Sequence, residues 1–156
     1  MTPLLFVKSY KTSFGFNTNQ WLSCVKRTEN SLNIIYHEIS DLAQPAEQLD
    51  IDSASGEIHI NAGDKVKTVD IDTASGDVEA GFNKVPDSIK VDAASGNVTL
   101  RLPENANMTF DIDTASGGFE SELPLSIKSG DKYVIGAGTS SAKIDTDSGD
   151  ITIIKY

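Results

Sequence analysis

Five short segments carry a carboxylate, a hydroxyl and a glycine at one spacing: Asp52-Ser53-Ala54-Ser55-Gly56, Asp72-Thr73-Ala74-Ser75-Gly76, Asp92-Ala93-Ala94-Ser95-Gly96, Asp113-Thr114-Ala115-Ser116-Gly117 and Asp145-Thr146-Asp147-Ser148-Gly149. Three chemistries use such groups. A row of carboxylates can take a hard cation, because Ca²⁺ prefers several carboxylate and carbonyl oxygens; Asp52, Asp72, Asp92, Asp113 and Asp145 are weak calcium candidates on that ground. Paired carboxylates can hydrolyse glycosidic bonds. A serine beside a base can be a nucleophile. The rest of the chain supplies little for any of them. There are 2 histidines, His37 and His59, and His59 occupies a position where the other repeats have Glu79, Thr99, Glu120 and Thr152, a variable column that should face solvent. Cys24 is the 1 cysteine, so it has no thiol partner and no internal disulfide can form. The Gly-Gly-x-Gly-x-Asp nonapeptide of calcium-binding β-rolls is absent. The expectation is a protein that is not an enzyme, with no catalytic residues and no cofactor, Ca²⁺ being the alternative.

The repetition itself is the stronger signal. The five glycines lie 20, 20, 21 and 32 residues apart, and a fixed period of this size marks stacked repeats. Each motif is preceded by an alternation such as Val69-Asp70-Ile71-Asp72 and followed by another such as Asp77-Val78-Glu79-Ala80, the mark of strands with one buried face. Ile51, Ile71, Val91, Ile112 and Ile144 line up as one aliphatic column; Ile58, Val78, Val98, Phe119 and Ile151 line up as a second. Identity of residue type at every level is what parallel in-register stacking demands, and an antiparallel meander would not require it. The expected fold is all-β, a single-stranded β-solenoid of about five coils. Ser55, Gly56, Ser75, Gly76, Ser95, Gly96, Ser116, Gly117, Ser148 and Gly149 then form the structural turn motif. The alanines are expected to fill a tight inner corner, and each aspartate is expected to accept hydrogen bonds from backbone N–H groups of its own bend. That support is needed, since carboxylates stacked about 4.8 Å apart repel by roughly 1 kcal/mol per pair even in water.

Residues 1–48 share no repeat with residues 49–156. They are expected to cap the open end of the stack or to be partly disordered, with one strand at Ser31-Leu32-Asn33-Ile34-Ile35-Tyr36 and modest helical character over 38–48. The long final interval holds an insertion at about 124–139 that reads as a hairpin turning at Gly130-Asp131. Lys155 beside the last apolar run is expected to guard an edge strand. The net charge of −10 lies wholly in the repeats, because four basic and four acidic residues cancel in 1–48. So acidic a surface disfavours nucleic acid and anionic membranes, and leaves a protein or a neutral glycan as the expected partner. The apolar group at residues 4–7 is too short for a signal-peptide core or a membrane span, so no direct membrane insertion is expected.

The repeated units, closed by Lys143-Ile144-Asp145-Thr146-Asp147-Ser148-Gly149-Asp150-Ile151, resemble the bacterial adhesin-like domain of unknown function over residues 49–156. That resemblance implies a single-stranded right-handed β-helix, a non-catalytic binding module, and a place at the cell surface or outside the cell. It brings no catalytic residues. Two further classes stay open: a self-assembling structural β-helix that stacks end to end, as in bactofilin-like filaments, and a polysaccharide-active β-helix enzyme.

Overall fold

The computed structural model describes residues 5–7, 24–27, 31–36, 47–62 and 64–156. Among them there is no helix, and every regular element is a strand. In chain order these are β1 (Leu5–Val7), β2 (Cys24–Arg27), β3 (Ser31–Tyr36), β4 (Gln48–Ser53), β5 (Ile58–Ala62), β6 (Thr68–Thr73), β7 (Val78–Phe82) and β8 (Ser88–Ser95). They continue with β9 (Val98–Leu102), β10 (Met108–Ser116), β11 (Phe119–Ser121), β12 (Ser126–Ser129), β13 (Lys132–Ile135), β14 (Ser140–Ser148) and β15 (Ile151–Lys155). The strands that enter the five Ser-Gly bends (β4, β6, β8, β10, β14) lie in one ten-stranded sheet, and those that leave them (β5, β7, β9, β11, β15) form a five-stranded sheet. Within each group the pairing is parallel and in register.

Both aliphatic columns point into one core. Ile51, Ile71, Val91, Ile112 and Ile144 are buried on the first sheet, and Ile58, Val78, Val98 and Ile151 on the second, with Phe119 packed against them. Leu100, Leu102, Phe82, Met108 and Phe110 fill the space at the strand ends distal to the bends.

The order of the repeats in space differs from their order in sequence. The larger sheet runs β1-β2-β3-β4-β6-β8-β14-β10-β13-β12 and the smaller β11-β15-β9-β7-β5. The fifth repeat thus lies between the third and the fourth. Ile144 pairs with Val91 on one side and Ile112 on the other, and Ile151 pairs likewise with Val98 and Phe119. The insertion explains why. After β11 the chain forms the antiparallel hairpin β12–β13, and β13 takes the outer edge of β10. That edge is where a fifth repeat stacked in sequence order would go, so the last strand pair enters the gap between β8–β9 and β10–β11.

Two expectations are corrected here. Ala54, Ala74, Ala94 and Ala115 do not fill an inner corner; they are exposed. The inner position belongs to the residue one earlier in each motif: Ser53, Thr73, Ala93 and Thr146 are buried and Thr114 is half-buried, because the in–out alternation of the strand continues into the bend. Lys155 does not sit on an edge strand, since β15 lies between β9 and β11; beyond the last pair with β11, Ser121 with Ile153, its N–H donates to the Glu122 carboxylate. The strand expected at residues 31–36 is β3, which pairs parallel with β4 and extends the larger sheet. The helical character expected over 38–48 falls on residues outside the described set, apart from its last residues, where Gln48 opens β4.

Candidate functional site

Because the pleat alternates, the polar residues between the core positions share the outer face of the larger sheet. Two charged columns run across its rungs. One reads Asp52, Asp72, Asp92, Asp145, Asp113 in spatial order; the other reads Asp50, Asp70, Lys90, Lys143, Asp111, Lys132. Eight aspartates therefore face three lysines. Lys90 Nζ reaches Asp70 at 3.2 Å and Asp72 at 3.5 Å across the rung. Lys132 pairs with Asp111 at 2.9 Å, and Lys143 pairs with Asp145. The hydrogen bond to Asp70, together with the field of both carboxylates, outweighs desolvation and holds the Lys90 ammonium above its ordinary pKa. Asp145 does the same for Lys143.

Asp52, Asp92 and Asp113 make no ion pair among the described residues. Asp52, Asp72 and Asp92 form one wall of an open groove of about 570 Å³ that crosses three rungs at the bend, with Ser53, Thr73, Ala54, Ala74 and Ala94 as its other lining. The groove offers a row of carboxylates beside a row of methyl groups. Among the described residues no three His, Cys, Asp or Glu side chains converge as a metal-ligand group.

The hydrogen bonds at the bends come from hydroxyls instead of these carboxylates. Ser53 Oγ donates to the Ser55 carbonyl (3.2 Å) and Thr73 Oγ1 to the Ser75 carbonyl (3.3 Å). Ser75 and Ser95 donate across the rung to the carbonyls of Ala54 and Ala74, both at 3.3 Å. Ser116 and Ser148 contribute through the backbone: their carbonyls accept from Gly149 and Gly96 at 3.0 Å. The glycines stack directly on one another. A Cβ on Gly76 would lie 2.1 Å from the Gly56 carbonyl oxygen, one on Gly149 2.0 Å from that of Gly96, and one on Gly117 2.0 Å from that of Gly149. Gly56, Gly76, Gly96 and Gly149 have φ of 108°, 119°, 126° and 147°, a region that favours glycine.

A second polar column, which sequence reasoning passed over, follows each glycine. Asp77 Oδ1 accepts the Asn97 N–H (2.8 Å), Asn97 Oδ1 accepts the Asp150 N–H (2.9 Å), and Asp150 Oδ1 accepts the Gly118 N–H (2.8 Å). Each side chain thus ties its own rung to the next. Gly118 ends this column on β11's rung, at the edge of the smaller sheet. Asp150→Ala should lower the unfolding free energy by about 0.5–1.5 kcal/mol, the net worth of the bond lost when the exposed Gly118 N–H turns to water, and Asp150→Asn should restore most of it; urea denaturation of the two variants measures the difference.

On the outer face of the smaller sheet His59 is half-exposed and lies 3.3 Å from Glu57 and 3.2 Å from Glu79. Glu79 also holds Arg101. No helix among the described residues is long and apolar enough to cross a membrane.

Comparison with known proteins agrees with this architecture. The chain is similar in structure to a candidate cell adhesion protein from Clostridium sporogenes, with a TM-score of 0.55 at 16% identity. The likeness covers 69% of this chain and 56% of that one, so the chain spans little more than half the length of that protein. No curated protein matches by sequence. The Toastrack DUF4097 family matches residues 36–154, which is most of the chain, and this chain belongs to that family.

Proposed function

We propose that this domain is a non-catalytic, adhesin-like interaction module of the bacterial cell envelope, built as a right-handed β-solenoid of about five coils. Its working surface is the acidic outer face of the larger sheet, and its partner is a protein segment rich in lysine or arginine. The observation that carries this reading is the open groove lined by Asp52, Asp72 and Asp92, in which Asp52 and Asp92 make no ion pair among the described residues. Three carboxylates one rung apart, the outer two without an ion-pair partner among the described residues, present a regular negative potential, which attracts and aligns an extended cationic chain, and the alanine row beside them receives its aliphatic stems. The description of the Clostridium sporogenes protein as a candidate for cell adhesion supports the same class of function. A non-catalytic role is supported by the site's form: the carboxylates share one wall of an open groove instead of facing each other across a cleft, as glycoside hydrolysis requires.

The test uses decalysine as probe. Binding measured by fluorescence anisotropy should be saturable and should weaken steeply as salt rises from about 20 mM to about 150 mM, where the screening length shrinks to about 8 Å. Heparin and neutral dextran should not bind. Binding of dextran without binding of decalysine would replace the cationic partner with a glycan.

On the same reading the aspartate column holds no calcium of its own, because Ca²⁺ needs six to eight converging oxygens and these carboxylates are spread one per rung. Millimolar CaCl₂ should leave the melting temperature where millimolar NaCl leaves it; a clear upward shift specific to calcium would mark a site.

A further inference from the structure

We infer that the C-terminal strand pair β14–β15 can be exchanged between two copies of this chain, so that each copy's last repeat fills the other's gap. Three observations carry the inference. First, the gap between β8–β9 and β10–β11 is lined on both sides by strand edges that the inserted repeat pairs in register. The inserting repeat brings five buried side chains, Ala142, Ile144, Thr146, Ile151 and Ile153, into the core. A strand pair paired on both sides contributes the same bonds whichever copy supplies it.

Second, the connection that holds the repeat in its own chain is short and tightly bent. Residues 136–139 must carry the chain from β13, on one edge of β10, to β14, on the other edge. They do so with Gly136 at φ 61° and Gly138 at φ 67°. A Cβ on Gly136 would lie 2.2 Å from Asn107 Oδ1, and one on Gly138 2.7 Å from Thr109 Oγ1. The loop is pinned to Asn107, whose side chain accepts the Ala137 N–H (2.8 Å) and whose carbonyl accepts the Ser140 N–H (3.0 Å). Short, constrained connections of this kind favour exchange, because opening them relieves the bend while the rest of the structure is rebuilt in the partner.

Third, the gap recognises its occupant through columns of residue type. Asp145, Ser148 and Gly149 repeat what every rung carries, so the fit lies in the repeat itself and is indifferent to which chain supplies it. The closed monomer keeps the advantage of an intramolecular neighbour, an effective concentration in the millimolar range, so exchange is a product of folding at high protein concentration.

The test places a disulfide across the junction. Ser88 and Ser141 are direct partners on β8 and β14, so Ser88→Cys/Ser141→Cys in a Cys24→Ser background reports which chain fills the gap. Refolded at about 1 μM and oxidised, the full chain should give an intrachain disulfide and a monomer. Refolded near 1 mM, the concentration at which a second copy competes, it should give a dimer joined by interchain Ser88→Cys–Ser141→Cys disulfides. Gly136→Ala, which penalises only the closed loop, should raise the dimer fraction at least threefold. A Gly-Ser-Gly-Ser insertion between Gly138 and Thr139, which relaxes the loop, should lower it. Intrachain disulfides alone at every concentration would overturn the inference, as would a dimer without the interchain bond. If Gly136→Ala does not fold, the concentration series and the lengthened loop decide it.

Discussion

Gly96→Ala is expected to remove most of the stability of this domain. Gly96 sits in the middle of the glycine stack at φ 126°, and an added Cβ would lie 2.2 Å from the Gly76 carbonyl oxygen and 2.6 Å from its carbon. Those are backbone atoms held by their own rung, so no side chain can move aside. The substitution imposes a backbone conformation that costs an L-residue about 1–3 kcal/mol. It also forces the second and third rungs apart where the Gly76 N–H donates to the Ser95 carbonyl, and it displaces Gly96, whose N–H donates to the Ser148 carbonyl of the fifth. Each of those bonds is worth about 1 kcal/mol net. A total of about 3–5 kcal/mol is a large part of the whole stability of many domains, and urea denaturation should show it as a large fall in midpoint. Gly130→Ala is the control: φ is 55°, but nothing lies within 4 Å of the added methyl, so the cost should stay near 1 kcal/mol.

Ile144→Ala is expected to cost clearly more than Ile112→Ala, about 4 kcal/mol against about 2, within the range for large-to-small core changes. The two residues occupy the same column and differ only in place. Ile144 is flanked by Val91 and Ile112 and is fully buried, whereas Ile112 has Ile144 on one side and on the other lies just past the last residues of β10 and β13 that are partners, Asp111 and Lys132, with only its N–H still held by the Asp131 carbonyl. Stacking in sequence order would reverse the ranking, with the fourth repeat inside and the fifth at the end. The pair of denaturation curves therefore measures the order of the rungs directly.

Much of this was legible from residue types. The two aliphatic columns, the parallel register, the hairpin turning at Gly130-Asp131 and the glycine bends all follow from a period that repeats side chains level by level. The rung order did not follow, and for the same reason. Columns of identical type fit any order equally well, so Ile144 matches Val91 as well as it matches Ile112. The order is decided by β13 on the outer edge of β10, a pairing between unlike segments that no column reveals. The small size of Ala54 and its equivalents suggests a tight inner corner, but carrying the alternation one step further from Ile51 points to Ser53, Thr73 and Ala93.

The polar columns divide in a comparable way. Uniform Asp52, Asp72, Asp92, Asp113 and Asp145 drew attention, yet the hydrogen bonds between rungs come from the mixed column Asp77, Asn97 and Asp150. Asp and Asn share the one oxygen that the neighbouring N–H needs, so the chemistry is constant where the letters are not. The last member is Gly118, on the edge strand's rung of the smaller sheet, and with no side chain it accepts nothing.

The division of labour between these columns is the central claim, and the triple variant Asp52→Asn/Asp72→Asn/Asp92→Asn tests it in one preparation. The account predicts that decalysine binding falls at least tenfold while the melting temperature holds or rises by a few degrees, since the change removes like-charge repulsion and breaks only the weak contact of Asp72 with Lys90. A melting temperature that drops by ten degrees or so, about 2 kcal/mol or more for a domain of this size, would make the column part of the scaffold. Binding that survives the substitutions would move the interaction surface elsewhere.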